Sequence, residues 1–291
     1  MRRRSFLSYT LLFLVSCSAS QDSKTRNANS NIPNPLRFTV TDAINAEQLE
    51  EYQPFRQKLA DLLQTEVEFV PVESYMAATV ALQKGEVDLA LTGPSEYVTI
   101  RARTNAVPMI SLSRPNYYSI IVKKAESEIE SLSDLQGKTI SIGPVGSTSS
   151  YLGPTYLLMK AGLDPKTDVK VKSLDKAGLD ALVAEEVVAW CGSFTDYQGF
   201  LEAQNLRKQD LPIIAQSQPL PSDIFVGSSQ LNEDAIAQIS QGILDQEKAL
   251  IETLTNVDEG KYRNAELAVA KDSEYDLIRE VYKAVGEGNF M

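Results

Sequence analysis

The chain has 291 residues, 43% of them hydrophobic and 23% charged, and a formal charge of −11. That is enough chain for two modest lobes with buried cores, and the acidity argues against a nucleic-acid partner, which calls for a basic face. It contains no histidine, which removes the commonest general base, the commonest transition-metal ligand and the usual partner of a nucleophilic serine or cysteine; carboxylate or lysine catalysis stays open, but no catalytic residue, cofactor or metal is expected.

At the start of the chain, Arg2-Arg3-Arg4 precedes an apolar run over 6–15, the charged and apolar regions of an export signal too short to span a membrane. It ends in Leu14-Val15-Ser16-Cys17, which resembles a bacterial lipobox. Residues 1–16 are therefore expected to be a lipoprotein signal peptide and Cys17 the lipidated residue, with a plain signal peptide or short anchor as the alternative. Arg3-Arg4-Ser5-Phe6-Leu7 also looks like a twin-arginine export signal. The second cysteine, Cys191, is not expected to bridge to Cys17. Residues 17–35 carry few apolar side chains and include two prolines near their end, the composition of a flexible tether.

From residue 36 the pattern alternates. Strands are expected over 36–41, 66–72 and 87–91, and helices over 46–63, 75–83 and 94–103, a β-α-β-α-β-α series. An apolar strand over 117–123 follows the turn Arg114-Pro115-Asn116. A second series has strands at 139–142, 168–174 and 187–191, and helices near 148–161, 176–186 and 195–204. Short strands at 211–216 and 223–227 precede a helical tail, chiefly 233–254 and 274–285. Two αβ halves joined by crossovers near 112–118 and 211–221 predict two lobes, with the ligand cleft between them.

Residues 143–154 read GPVGSTSSYLGP. The glycine spacing fits neither a phosphate-binding lysine loop nor a dinucleotide fingerprint. As a nucleophile elbow it lacks the second glycine, and no histidine exists to activate a hydroxyl. What remains is a strand running into a helix start, whose amides and three hydroxyls (Ser147, Thr148, Ser149) can cap the helix or receive an oxyanion without any fixed positive charge. The segment 87–97, VDLALTGPSEY, repeats the construction: Pro94 sits near the first helical position, and Ser95 lies among free amides. Two such starts in two lobes can grip one anion from both sides.

Residues 85–98 (GEVDLALTGPSEYV), 117–154 and 216–226 (QSQPLPSDIFV) together resemble the phosphate/phosphite/phosphonate substrate-binding proteins of ABC transporters. The resemblance runs from about residue 36 to 225 and rests on GPSEY, DLxGK and STS in that order. It implies a two-lobed α/β fold of the type II periplasmic-binding class, with mostly parallel sheets, helices on both faces and the ligand cleft between lobes. One lobe would span 36–113 plus 218–291, the other 114–217. It further implies an exported, lipid-anchored monomer that captures a small phosphorus oxyanion by lobe closure and hands it to an ABC permease.

The resemblance carries the ligand contacts onto Ser147, Thr148, Ser149, Ser95, Tyr75 and one of Tyr117 or Tyr118. Tyr97 is either a contact or a core residue. Asp196-Tyr197 aligns with a region that puts an acid near the ligand, where a carboxylate can accept the ligand's proton. One departure stands out. Where many members have His-Asp, this chain has Leu179-Asp180, leaving Asp180 as the only polar substitute and keeping open a sensor or interaction protein with an altered or lost pocket. An enzyme of the same fold is the third reading. Trp190 is either a pocket wall or core.

Overall fold

The computed structural model describes residues 31–41, 45–74 and 76–288. The expected signal peptide, Cys17, most of the expected tether and Tyr75 lie outside the described residues.

Two sheets organise the chain. The first contains β1 (Leu36–Val40), β2 (Val67–Phe69), β3 (Leu89–Thr92), β4 (Val107–Leu112), β10 (Asp223–Gly227) and β11 (Leu267–Val269), in the order β11-β4-β10-β3-β1-β2. The second contains β5 (Ser119–Lys123), β6 (Thr139–Ile142), β7 (Lys170–Ser173), β8 (Ala189–Ser193) and β9 (Ile213–Gln216), in the order β7-β6-β8-β5-β9. This is the expected α/β architecture with helices on both faces. The expectation of mostly parallel sheets is corrected in detail. Each sheet is mixed, with four parallel and five antiparallel pairings among the described strands. The reason is topological: β5 and β10, the strands that follow the crossovers, each insert antiparallel between two strands of the sheet they enter.

The helices of the first half are α1 (Ala46–Glu50), α2 (Gln53–Leu63), α3 (Ala77–Lys84) and α4 (Pro94–Thr104), joined by α8 (Glu233–Asp245), α9 (Glu247–Val257), α10 (Glu259–Tyr262) and α11 (Asp276–Ala284). Those of the second are α5 (Gly153–Lys160), α6 (Ala177–Val183) and α7 (Phe194–Gln204). Side chains alternate across each strand. Phe38 and Phe225 bury against Phe55 of α2 on one face of the first sheet, while Ala90 and Val226 meet Tyr97, Val98 and Tyr275 on the other. In β5, Ile120 and Val122 pack with Trp190 and Tyr197, whereas Ile121 points to the opposite layer with Ile140 and Leu158.

Four details differ from the sequence reading. The expected helix over 46–63 is two, because Pro54 in the first turn of α2 opens a new helix. The 233–254 run breaks at Gln246, whose backbone leaves the helical region. Strands β4 and β11 stand where no strand was expected. Residues 31–35, assigned to the tether, pack on the first half: Ile32 joins its core, Thr65 donates to the Pro33 carbonyl at 2.8 Å, and the Glu66 amide donates to Asn34 Oδ1 at 3.2 Å. The two crossovers bond to each other, Ser217 N to Ser119 O and Leu220 N to Tyr117 O, both at 2.9 Å.

Candidate functional site

The loop after β6 is built on close approach. A Cβ on Gly143 would stand 2.4 Å from the Ser150 Cβ, and one on Gly153 would stand 2.0 Å from the Ser119 Oγ. Gly146 takes φ 101°, a conformation other residues rarely adopt. Ser147 then caps the turn by accepting the Ser150 amide at 3.3 Å, and Thr148–Leu152 winds as one turn of π-helix before α5 continues. Such wide turns gather at functional sites. All four hydroxyl residues from 147 to 150 are buried.

Facing this turn, Gly93 caps α4 with extended backbone and Pro94 fills the first helical position. The two loops touch. Ser95 N donates to Thr148 Oγ1 at 3.0 Å, the Ser95 and Thr148 hydroxyls lie 2.7 Å apart, and Ser95 Oγ donates to the Gly146 carbonyl at 2.6 Å. This clasp joins a helix of the first sheet's half to a loop of the second's.

Beside the clasp lies a cavity of about 90 Å³ lined by Thr92, Gly93, Glu96, Arg114, Tyr117, the hydroxyls of 147–150, Asp175, Lys176, Asp196, Asp223, Asp258, Lys261 and Tyr262. Several helix starts converge on it, each with its positive pole inward. Most of these poles already hold a carboxylate. Glu96 is in the first turn of α4, Asp196 in that of α7 and Asp258 caps α10. Asp196 is further tied down by the Ser193 hydroxyl and by Lys176 Nζ at 3.1 Å. The turn at 148–152 has no acid in its first turn.

The cavity also holds cations, which corrects the expectation of neutral donors alone. Arg114 Nη1 meets Asp223 Oδ1 at 3.3 Å, Lys261 Nζ meets Asp223 Oδ2 at 3.2 Å, and the Tyr262 hydroxyl donates to Asp223 at 3.1 Å. Burial opposes the Arg114 charge, but Asp223 outweighs it and holds its pKa above the ordinary value. Burial, followed by the Asp196 charge, raises the Asp175 carboxyl. Lys176 stands between Asp196 and Asp258, and mainly the Asp196 charge raises its pKa.

Of the residues expected at the site, Ser147, Thr148, Ser149, Tyr117 and Asp196 line this cavity. Ser95 is in the clasp. The other described ones are elsewhere, and Tyr75 lies outside the described residues. Tyr97 is buried edge-on to Tyr275 and donates to Asp272; Tyr118 stacks on Phe194 with centroids 4.7 Å apart; the Tyr197 hydroxyl donates to the Leu211 carbonyl at 2.8 Å. Asp180 is exposed on α6, and its neighbour Leu179 is buried in the core. Trp190 is core, with its indole N–H donating to the Asp175 carbonyl at 2.8 Å. The sequence reading missed Arg114, Asp223, Lys261 and Tyr262, which come from a crossover, a strand and the helical tail and share no local motif. Ser150, next to the STS triplet, was one residue away.

With that geometry in hand, residues 38–275 match the model of a family described as ABC transporter, phosphonate, periplasmic substrate-binding protein. The phosphate-import protein PhnD of Mycolicibacterium smegmatis is 25% identical over 304 residues, spanning 94% of this chain and 93% of its own. A probable ABC transporter phosphite binding protein of Prochlorococcus marinus is 27% identical over 181 residues, 59% of this chain and 61% of its own. The solved methylphosphonate complex of PhnD1 from Prochlorococcus marinus shares the fold, with a TM-score of 0.72 at 20% identity over 88% of this chain and 99% of that one.

Proposed function

This chain belongs to the periplasmic substrate-binding proteins of phosphonate ABC transporters, and we propose that it captures a small phosphorus oxyanion, a phosphonate, phosphite or phosphate, by closing two lobes around it. It serves an ABC importer on the periplasmic side of the membrane. In this reading residues 36–113 with 218–291 make one lobe and 114–217 the other. The protein is a binding protein and not an enzyme, is exported by the signal at 1–16, is tethered as a monomer through lipid on Cys17, and delivers its ligand to the permease.

One observation carries the ligand class. Among the helix starts on the cavity that α4, α7, α10 and the 148–152 turn provide, only the last lacks a carboxylate of its own. It is the pole left for an external anion, with amides and the hydroxyls of Ser147, Thr148, Ser149 and Ser150 as donors. Tyr117 adds a wall, and Asp196 accepts the proton of a protonated oxyanion, which sulfate lacks. A cavity of about 90 Å³ suits a small oxyanion. Leu179, whose identity raised the sensor alternative, is buried in the core and does not line this cavity.

Thermal unfolding with phosphate, phosphite, methylphosphonate, aminoethylphosphonate and sulfate tests the reading. A ligand at 100 times its dissociation constant adds about 2.7 kcal/mol of stability. Absence of any shift with every phosphorus oxyanion overturns it. The double substitution Thr148→Ala with Ser149→Ala is expected to abolish binding, and wild-type affinity in that variant would reduce the loop to a helix cap.

A further inference from the structure

A buried guanidinium is costly to leave without acceptors, because it carries five N–H donors and a charge that cannot be lost. The Arg114 side chain is 10% exposed. Among the described residues it makes one hydrogen bond, the 3.3 Å contact from Nη1 to Asp223, and its buried Nε has no partner. One face lies on the Tyr117 ring, with Cζ 3.6 Å from the centroid, which fixes the plane of the fork. Asp223 does not cancel this charge by itself, since it is shared with Lys261 at 3.2 Å and with the Tyr262 hydroxyl. Both cations, and Tyr117, line the same cavity as the hydroxyl turn.

We propose that Arg114 is a ligand-contacting, specificity-determining residue: its guanidinium donates to the captured oxyanion and supplies the fixed charge that the hydroxyl turn lacks. The inference rests on the oxyanion-binding reading above. The planar fork, held against Tyr117, meets one oxygen or two of a tetrahedral phosphorus group, while the 147–150 hydroxyls meet the others. A lysine at this position keeps the charge but offers a single rotating ammonium in place of the fork. Arg114 also sits in the crossover between the sheets, so the contact ties the ligand to the segment about which the halves are joined.

The test uses Arg114→Gln and Arg114→Lys, with methylphosphonate, phosphite and phosphate as probes in titration calorimetry, and unliganded melting temperatures measured alongside. Lys261 still neutralises Asp223 in both variants, so both are expected to fold. Arg114→Gln is expected to weaken binding by ~10- to 100-fold, the range for a charge-assisted hydrogen bond. Arg114→Lys is expected to recover the melting temperature without recovering wild-type affinity. If Arg114→Gln binds as wild type does, or if lysine restores stability and affinity in parallel, Arg114 only holds Asp223 and the inference falls. Should the wild-type protein bind none of the three probes, the oxyanion reading falls first and takes the inference with it.

Discussion

Replacing Thr148 by valine swaps the hydroxyl for a methyl at nearly constant shape, and it removes the acceptor of the clasp. Ser95 is fully buried, and its amide, at the second position of α4, has no partner within the helix. In the wild type that amide donates to Thr148 Oγ1 at 3.0 Å, while Ser95 Oγ keeps the Gly146 carbonyl at 2.6 Å as a second partner. The variant therefore strands one buried N–H, at a cost of about 1–3 kcal/mol. Because the bond joins the two halves, the cost falls on their apposed arrangement, and ligand affinity should drop by at least ~5- to 150-fold, with the loss of the proposed direct contact from the Thr148 hydroxyl to the anion adding to it. Titration calorimetry with the best-binding oxyanion measures it directly, and amide exchange at Ser95 reports the same bond without ligand. In a double-mutant cycle with Ser95→Ala, neighbours that share one network should show non-additive losses. If Thr148→Val leaves both the affinity and the Ser95 exchange rate unchanged, the clasp does not hold the halves together.

Two further outcomes follow from the packing. Burial raises the Asp272 pKa, but hydrogen bonds from Tyr97 and Arg279, with the Arg279 charge, outweigh it and hold the carboxyl below its ordinary 3.8; the stability it contributes is present above that pH and lost as pH falls through the depressed value. Asp272→Asn should therefore melt lower than wild type near neutrality, and the gap should narrow toward pH 3; a gap independent of pH contradicts this. A Cβ at Gly192 would stand 2.0 Å from Trp190 Cζ2, so Gly192→Ala should cost at least about 1–3 kcal/mol by overpacking. A melting temperature unmoved by that substitution would show that the indole has room to shift.

The αβ alternation was legible because most strands are buried on both faces and bounded by turn residues, as in the four-residue β3 and β6. Strand β4 was hidden by Pro108, which argues against a strand interior; the structure accommodates it beside a register shift between Phe225 and Val226. Strand β11, three residues long, is too short to display alternation. At the site, the hydroxyl turn was readable because its whole construction is local: glycines, a cap and a helix start within twelve residues. The cations were not. Arg114 reads as part of a turn and Lys261 falls between the two chief helices expected in the tail, and only the crossover topology brings both to Asp223. Tyr97, which the sequence left open between ligand and core, is core, and the Tyr197 hydroxyl donates to a backbone carbonyl; neither hydroxyl lines the cavity.

Trp190 is the sole tryptophan of the chain, and its indole N–H is anchored on the carbonyl of Asp175, a residue of the cavity wall. Indole emission shifts with the field along its ring, so the molecule carries a built-in optical probe one hydrogen bond from the proposed binding site. Intrinsic fluorescence can then time the arrival of an unlabelled anion in a rapid-mixing experiment, with no dye and no engineered residue to perturb the event being watched.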